Sequence, residues 1–216
     1  MITFSIILAL GPIAVYCIVI GAMHLRRRPK VVSGGRDLGC LGLAMIGLFL
    51  VGPAELLFPQ AAFNLIGIGV WGVILLLYLF MLLFAILNTK PRLVVFGLED
   101  DSLVVQLDHV LQQLDPSTKW LSHSFDSPLL GIQGVVESAG PSSISQIVAT
   151  KSEQNLVGWH TLQLALSTNF KFIEIERRPV GQLWISLGAI LLGFIGYTLF
   201  NHTTLISHEI REMLRI

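Results

Sequence analysis

The stretch HLRRRPKVVSGGRD, residues 24–37, lies between two long apolar runs and decides how the chain is organised. Its basic residues are Arg26, Arg27, Arg28, Lys30 and Arg36. The connection PQAA, residues 59–62, follows the second run and holds no charge. Because loops rich in Lys and Arg remain on the cytoplasmic side of a membrane, we expect residues 24–37 in the cytoplasm.

The composition is too apolar for an ordinary soluble domain. Hydrophobic residues make up 53% of the 216 positions, charged residues only 13%, and the mean hydropathy is +0.74. Each of four apolar runs reaches the roughly 20 residues that a helix needs to cross a bilayer. They lie at about 2–23, 38–58, 63–87 and 180–200. The first lacks the basic start and the cleavage site of a secretory signal, so the sequence predicts four transmembrane helices.

The remaining basic residues extend this topology. Lys90 and Arg92 follow the third run, and Lys171, Arg177 and Arg178 precede the fourth. The same rule therefore places residues 89–179 in the cytoplasm and both termini outside, as in a multi-pass protein of the plasma membrane. Basic residues beside a span also attract anionic lipid headgroups. The residues expected to serve topology or lipid contact are Arg26, Arg27, Arg28 and Lys30.

Residues 89–179 have the composition of one small water-soluble domain, with seven Lys or Arg against ten Asp or Glu. Their patterns predict a strand at 92–98, a helix at 100–115, strands at 119–125, 129–138 and 143–150, a helix at 155–168 and a strand at 171–177. This order is close to a ferredoxin-like α+β sandwich, although 171–177 can instead extend a helix into the fourth span. A domain with excess negative charge is not expected to bind nucleic acid.

The stretch VGPAELLFPQ, residues 51–60, puts Glu55 inside an apolar run. A helix that enters from the cytoplasm and stops at Pro59 leaves Glu55 one turn from the outer end, where its carboxylate reaches water. In the alternative, Glu55 faces the bundle beside the break at Gly52 and Pro53 and forms an intramembrane polar site.

Glu99, Asp100 and Asp101 gather at the end of the first predicted strand of the soluble domain. Carboxylate oxygens are the ligands that hard divalent cations prefer, so these acids are candidate metal ligands. The alternative is structural, because acids at a helix N-terminus complement the free N–H groups and the helix dipole. The sequence carries no phosphate-binding glycine motif, and it predicts neither catalytic residues nor a cofactor.

Two weaker patterns concern helix packing and the C-terminus. Small residues at 67, 69, 72, 189 and 193 predict close approach between membrane helices. Residues 201–216 carry apolar side chains on one side of a short helix. We expect that helix to lie on the outer membrane surface or in the groove of a partner.

Three classes of function remain. The favoured one is a non-catalytic integral membrane protein whose cytoplasmic domain docks a partner or supports assembly of a membrane complex. The alternatives are a small transporter or channel subunit that uses Glu55, and a metal-dependent membrane enzyme that uses Glu99, Asp100 and Asp101. The expected partners are the lipid bilayer and either another membrane protein or a second copy of the chain.

Overall fold

The computed structural model describes residues 2–52, 67, 69–138, 144–151, 153–175 and 179–201. In chain order its elements are α1 (Ile2–His24), β1 (Lys30–Ser33), α2 (Gly34–Val51), α3 (Gly69–Asn88), β2 (Arg92–Phe96), α4 (Asp100–Leu114), β3 (Lys119–Leu121), β4 (Ser124–Ser127), β5 (Ile132–Ser138), β6 (Ile144–Ala149), α5 (Leu156–Asn169), a 3-10 helix (Phe170–Phe172) and α6 (Val180–Asn201).

The chain divides into two compact units. The helical unit comprises Met1–Gly21, Gly39–Leu87 and Gln182–Ile216, and the sheet unit comprises Ala22–Leu38 and Asn88–Gly181. The first loop therefore folds with Asn88–Gly181 rather than with the long helices that flank it.

Four helices, α1, α2, α3 and α6, are long and apolar enough to cross a membrane. This confirms the prediction of four apolar helices of spanning length. Many of their large apolar side chains point outward, as do Leu76 and Phe80, which are 70% and 62% exposed. Such a surface suits a hydrocarbon solvent better than water. Helix α2 begins at Gly34, earlier than position 38, because its first turn includes the polar residues that follow β1. Positions 53–66 and 68 of the predicted spans lie outside the described residues.

Glycines allow α2 and α6 to approach α1 closely. A Cβ atom at Gly47 would lie 2.0 Å from the carbonyl oxygen of Leu8, and one at Gly188 would lie 2.8 Å from that of Ala14. A side chain at either position would push the backbones apart. The packing prediction named other small residues. No neighbouring atom of the described structure lies within 4 Å of a Cβ built at Gly67, Gly72 or Gly193, so the described helices do not approach each other closely at these three positions.

The sheet unit is an α+β fold built on one antiparallel sheet with the order β1-β2-β6-β5-β4-β3. Alternate residues of β5 and β6 are buried, so these strands present one apolar face. Helices α4 and α5 complete the core against that face. The helix predicted at 100–115 is confirmed as α4, and its Leu103, Leu107, Val110 and Leu111 are all buried.

Strand β2 is buried on both faces. Leu93 and Val95 belong to the core under the helices. Phe96 packs instead against His24, edge to face, with 5.8 Å between the ring centroids. The end of α1 therefore covers part of the second face of the sheet.

The edge strand β1 was missed by the sequence analysis, which interpreted the first loop by its charge alone. It pairs with β2 from Lys30 opposite Phe96 to Ser33 opposite Leu93. This register places Val31 in the core, where it is 8% exposed. A strand of four residues between an arginine run and a glycine pair is too short to produce a clear periodic pattern.

Two predicted strands are wrong. The stretch 119–125 is a hairpin of β3 and β4, because the chain reverses at Ser122, whose φ is +56°. The stretch 171–177 begins in the 3-10 helix, and its described remainder is extended but joins no ladder. Ile173 and Ile175 pack on the core from that extended segment, which explains their alternation. The predicted βαβββαβ order, and the ferredoxin-like arrangement inferred from it, therefore differ from the observed sheet.

Candidate functional site

A groove between α4 and α5 offers room for a ligand in the sheet unit. Its volume is 650 Å³. We call it the α4–α5 groove, and its lining residues are His109, Val110, Gln113, Leu114, Thr161, Leu164, Ala165, Thr168, Asn169 and Phe172. The lining includes no Asp, Glu, Lys or Arg side chain, and it is called neutral in that sense.

The apolar wall of the groove is formed by side chains that are not buried in the core. Helix α5 is apolar nearly all round, and only Trp159, Leu162 and Leu166 among its large side chains are buried. Leu164 on the same helix remains 54% exposed, and Phe172 just beyond it is 85% exposed. A phenylalanine ring so exposed on a folded domain is an apolar surface available for contact with another molecule.

The rim of the groove supplies hydrogen-bonding groups. His109 Nδ1 lies 3.4 Å from Asn169 Nδ2, so α4 and α5 meet through a weak polar contact at this end. Thr161 and Thr168 hydroxyl groups donate to carbonyl oxygens of their own helix. An apolar wall with a polar rim is the composition of a site that binds an amphipathic segment.

A second, smaller cavity of 320 Å³ lies beside the β4–β5 turn and the loop before α5. Among its lining residues, Gln154 already makes three hydrogen bonds. The amide of Gln154 donates to Gln133 O at 2.8 Å and accepts from Gln133 N at 3.0 Å and from Trp159 Nε1 at 2.9 Å. The cavity therefore marks a structural clamp between β5 and α5.

Asp115 is a buried carboxylate that the sequence analysis did not single out. It accepts hydrogen bonds from Ser127 Oγ at 2.6 Å, from Leu129 N at 3.0 Å and from Ser117 N at 2.9 Å, and the Ser117 hydroxyl also donates to it. Burial alone would raise the pKa of Asp115, but these hydrogen bonds outweigh it and lower the pKa to about 2. The charged carboxylate therefore links the end of α4 to β4 by a hydrogen bond.

The three candidate metal ligands lie at the start of α4. Glu99 is the N-cap residue, and its carbonyl oxygen accepts from Leu103 N at 2.8 Å. Asp100 Oδ1 lies 2.5 Å from the hydroxyl of Ser145, a buried residue on β6. In the part of the chain that the structure describes, no group of three or more His, Cys, Asp or Glu side chains is placed to hold a metal ion.

The other predicted site residues are divided between described and undescribed parts of the chain. Glu55 and the C-terminal stretch 202–216 lie outside the described residues. Gly52, the first residue of the predicted break, donates to Leu48 O at 3.0 Å. The cationic residues after α1 are on the surface: Arg26, Arg27 and Arg28 are exposed, and Lys30 is partly buried.

Comparison with known proteins gives no match: no family model, no curated protein and no solved structure is similar to this chain. The fold itself defines a class, that of chains with four helices able to span a membrane and a small antiparallel α+β unit.

Proposed function

We propose that this chain is a non-catalytic integral membrane protein of the plasma membrane whose cytoplasmic sheet unit docks a protein partner in the α4–α5 groove. The observation that carries the proposal is the pair of exposed apolar side chains, Leu164 and Phe172, beside a neutral groove of 650 Å³. Aromatic side chains at the centre of a binding surface contribute a large share of the affinity, so Phe172 is the proposed anchor.

The chemistry of the groove specifies the partner. A neutral lining offers no ion pair, so the bound segment is expected to be uncharged where it contacts the groove. The apolar wall and the polar rim around His109 and Asn169 fit an amphipathic helix that presents small and aliphatic residues. A membrane protein with such a helix beside its own span, or a second copy of this chain, meets that description.

The pairing of β1 with β2 supports the cytoplasmic placement. Strand β1 belongs to the loop that follows the first span, and β2 follows the third span. Strands that share hydrogen bonds must lie on the same side of a bilayer. Both segments also begin with basic residues, Arg26 to Arg28 and Lys90, as expected for cytoplasmic flanks.

The test is purification of the full chain in mild detergent, followed by quantitative mass spectrometry of the proteins that accompany it. We expect one stoichiometric partner, and we expect Phe172→Ser combined with Leu164→Ser to reduce its recovery at least tenfold. Val105→Ser is the matched control, because Val105 is 65% exposed on α4 but does not line the groove.

Unchanged partner recovery in the double variant would contradict the groove as the docking surface. A chain that purifies alone, forms a homo-oligomer and conducts ions after reconstitution would favour the transporter alternative. Thermal unfolding of each variant in the same detergent shows whether the sheet unit is intact.

A further inference from the structure

A cluster of three exposed arginines, Arg26, Arg27 and Arg28, follows immediately after α1 and is not explained by protein docking in the groove. No acidic residue occurs from position 24 to position 36, and the first acid after the cluster is Asp37, in the first turn of α2. From these features we propose that the arginine cluster is a binding site for the phosphate groups of anionic phospholipids in the surrounding bilayer.

The backbone of the cluster is held in place on both sides. His24, which precedes it, is buried against Phe96. Within it, the carbonyl oxygen of Arg27 accepts a hydrogen bond from Ile175 N at 2.8 Å. After it, Pro29 is buried and Val31 pairs with β2.

A backbone held in place distinguishes a binding site from a topological signal. Positive charge alone is enough to orient a span during insertion, and no fixed backbone is required. A backbone fixed before binding lowers the entropy lost when a ligand is held. The guanidinium group adds planar donors that match two phosphate oxygens at once.

The distance from the membrane span fits a headgroup. Helix α1, which can cross a membrane, ends at His24. A chain extends by at most about 3.6 Å per residue, so the Cα atom of Arg28 lies within roughly 14 Å of that helix end. The headgroup zone occupies about 5–8 Å beyond each face of the hydrocarbon core, and screening in cells is weak over roughly 8 Å. The flexible arginine side chains can therefore reach lipid phosphates.

The backbone contact of Arg27 is with Ile175, which precedes α6 in the sequence. Ile175 lies in the extended segment after the 3-10 helix, and Lys171 lies in that helix and is exposed. Residues 171–178 carry Lys171, Arg177 and Arg178 against Glu174 and Glu176, a net charge of +1, compared with +3 for Arg26 to Arg28. The arginine cluster is accordingly the part of this surface that selects negative lipid.

The experiment uses the full chain reconstituted in phosphatidylcholine bilayers with a trace of spin-labelled lipid. Electron spin resonance measures the relative association of labelled phosphatidylserine over labelled phosphatidylcholine. Arg26→Gln with Arg28→Gln removes two charges and keeps Arg27, whose backbone contacts Ile175. Lys119→Gln with Lys151→Gln is the matched control, because both lysines are exposed on the sheet unit and remote in sequence from any span.

We expect the arginine variant to lower the phosphatidylserine preference severalfold, with an upper bound of about fivefold for each charge removed, and the lysine variant to leave it unchanged. The preference of the unchanged chain should also fall as salt is raised. An equal loss in both variants, or no loss in the arginine variant, would overturn the proposal. So would an unchanged lipid preference together with loss of a protein from the detergent purification, because the cluster would then bind an acidic protein segment.

Discussion

Replacement of Val31 tests whether β1 belongs to the sheet unit. The Val31 side chain is 8% exposed and lies in the core beside Val95. Val31→Ala removes two methyl groups at about 0.8 kcal/mol each, or about 1.6 kcal/mol in total, before any cavity term. Val31→Asp directs an unpaired carboxylate toward the core and costs about 3 kcal/mol or more.

The chain can avoid the cost of Val31→Asp by releasing β1, because an edge strand pairs on one side only. Hydrogen exchange of the full chain in detergent, read by mass spectrometry, measures that release. Since about 1.4 kcal/mol corresponds to a factor of ten, Val31→Ala should speed exchange at positions 30–33 by about tenfold and Val31→Asp by about a hundredfold. Exchange at 92–96 should rise only for the amides that face β1.

The pattern of protection against hydrogen exchange shows whether a variant releases β1 alone or unfolds the whole sheet unit. Strand β5 lies two strands beyond β2 in the sheet, so positions 132–138 should keep their protection in both Val31 variants. Leu107→Asp places a charge at the centre of the core and should remove protection from the whole sheet unit. Unchanged exchange at positions 30–33 in Val31→Asp would refute the pairing of β1 with β2.

Three further predictions concern single side chains. Gly158→Ala should destabilise the sheet unit by at least about 1 kcal/mol in thermal or denaturant unfolding, because the new Cβ would lie 2.2 Å from the carbonyl oxygen of Leu130. Asp115 has a pKa lowered from 3.8 to about 2, so the stability that it provides is complete above about pH 4 and is lost as the pH falls toward 2. Asp115→Asn should flatten that acid limb of the stability curve, and an unchanged limb would contradict the assignment. Glu55→Gln should leave expression and partner recovery nearly unchanged if the carboxylate lies at the membrane edge, whereas a large loss would place it in the bundle.

Much of the fold follows from local pattern. The four apolar runs and the helix at 100–115 are repeated signals over many residues, and the structure has a helix at each of them. The errors fall where a short segment depends on a distant partner. Strand β1 forms because it pairs with the edge of β2. The hairpin at Ser122 requires a positive φ angle, which the sequence pattern does not indicate.

The sites were harder to predict than the fold. Helix α5 is apolar on most sides, so its sequence does not reveal that Leu164 stays outside the core. Asp115 links distant parts of the sheet unit only through the hydrogen bonds that it accepts from Ser127 and Leu129, which lie 12 and 14 residues away along the chain. An aspartate after a helix and before Pro116 looks like an ordinary turn residue until the tertiary contacts are known.

The central claim is that two separate loops build one domain on the cytoplasmic side of the membrane. Thiol labelling in intact cells tests it most directly, in a chain whose native cysteines are replaced by Cys17→Ala and Cys40→Ser. Lys30→Cys and Lys119→Cys should both resist a membrane-impermeant reagent until the cells are permeabilised. Ala62→Cys, in the predicted outer connection, should label at once. Labelling of position 30 or position 119 from outside intact cells would contradict the account.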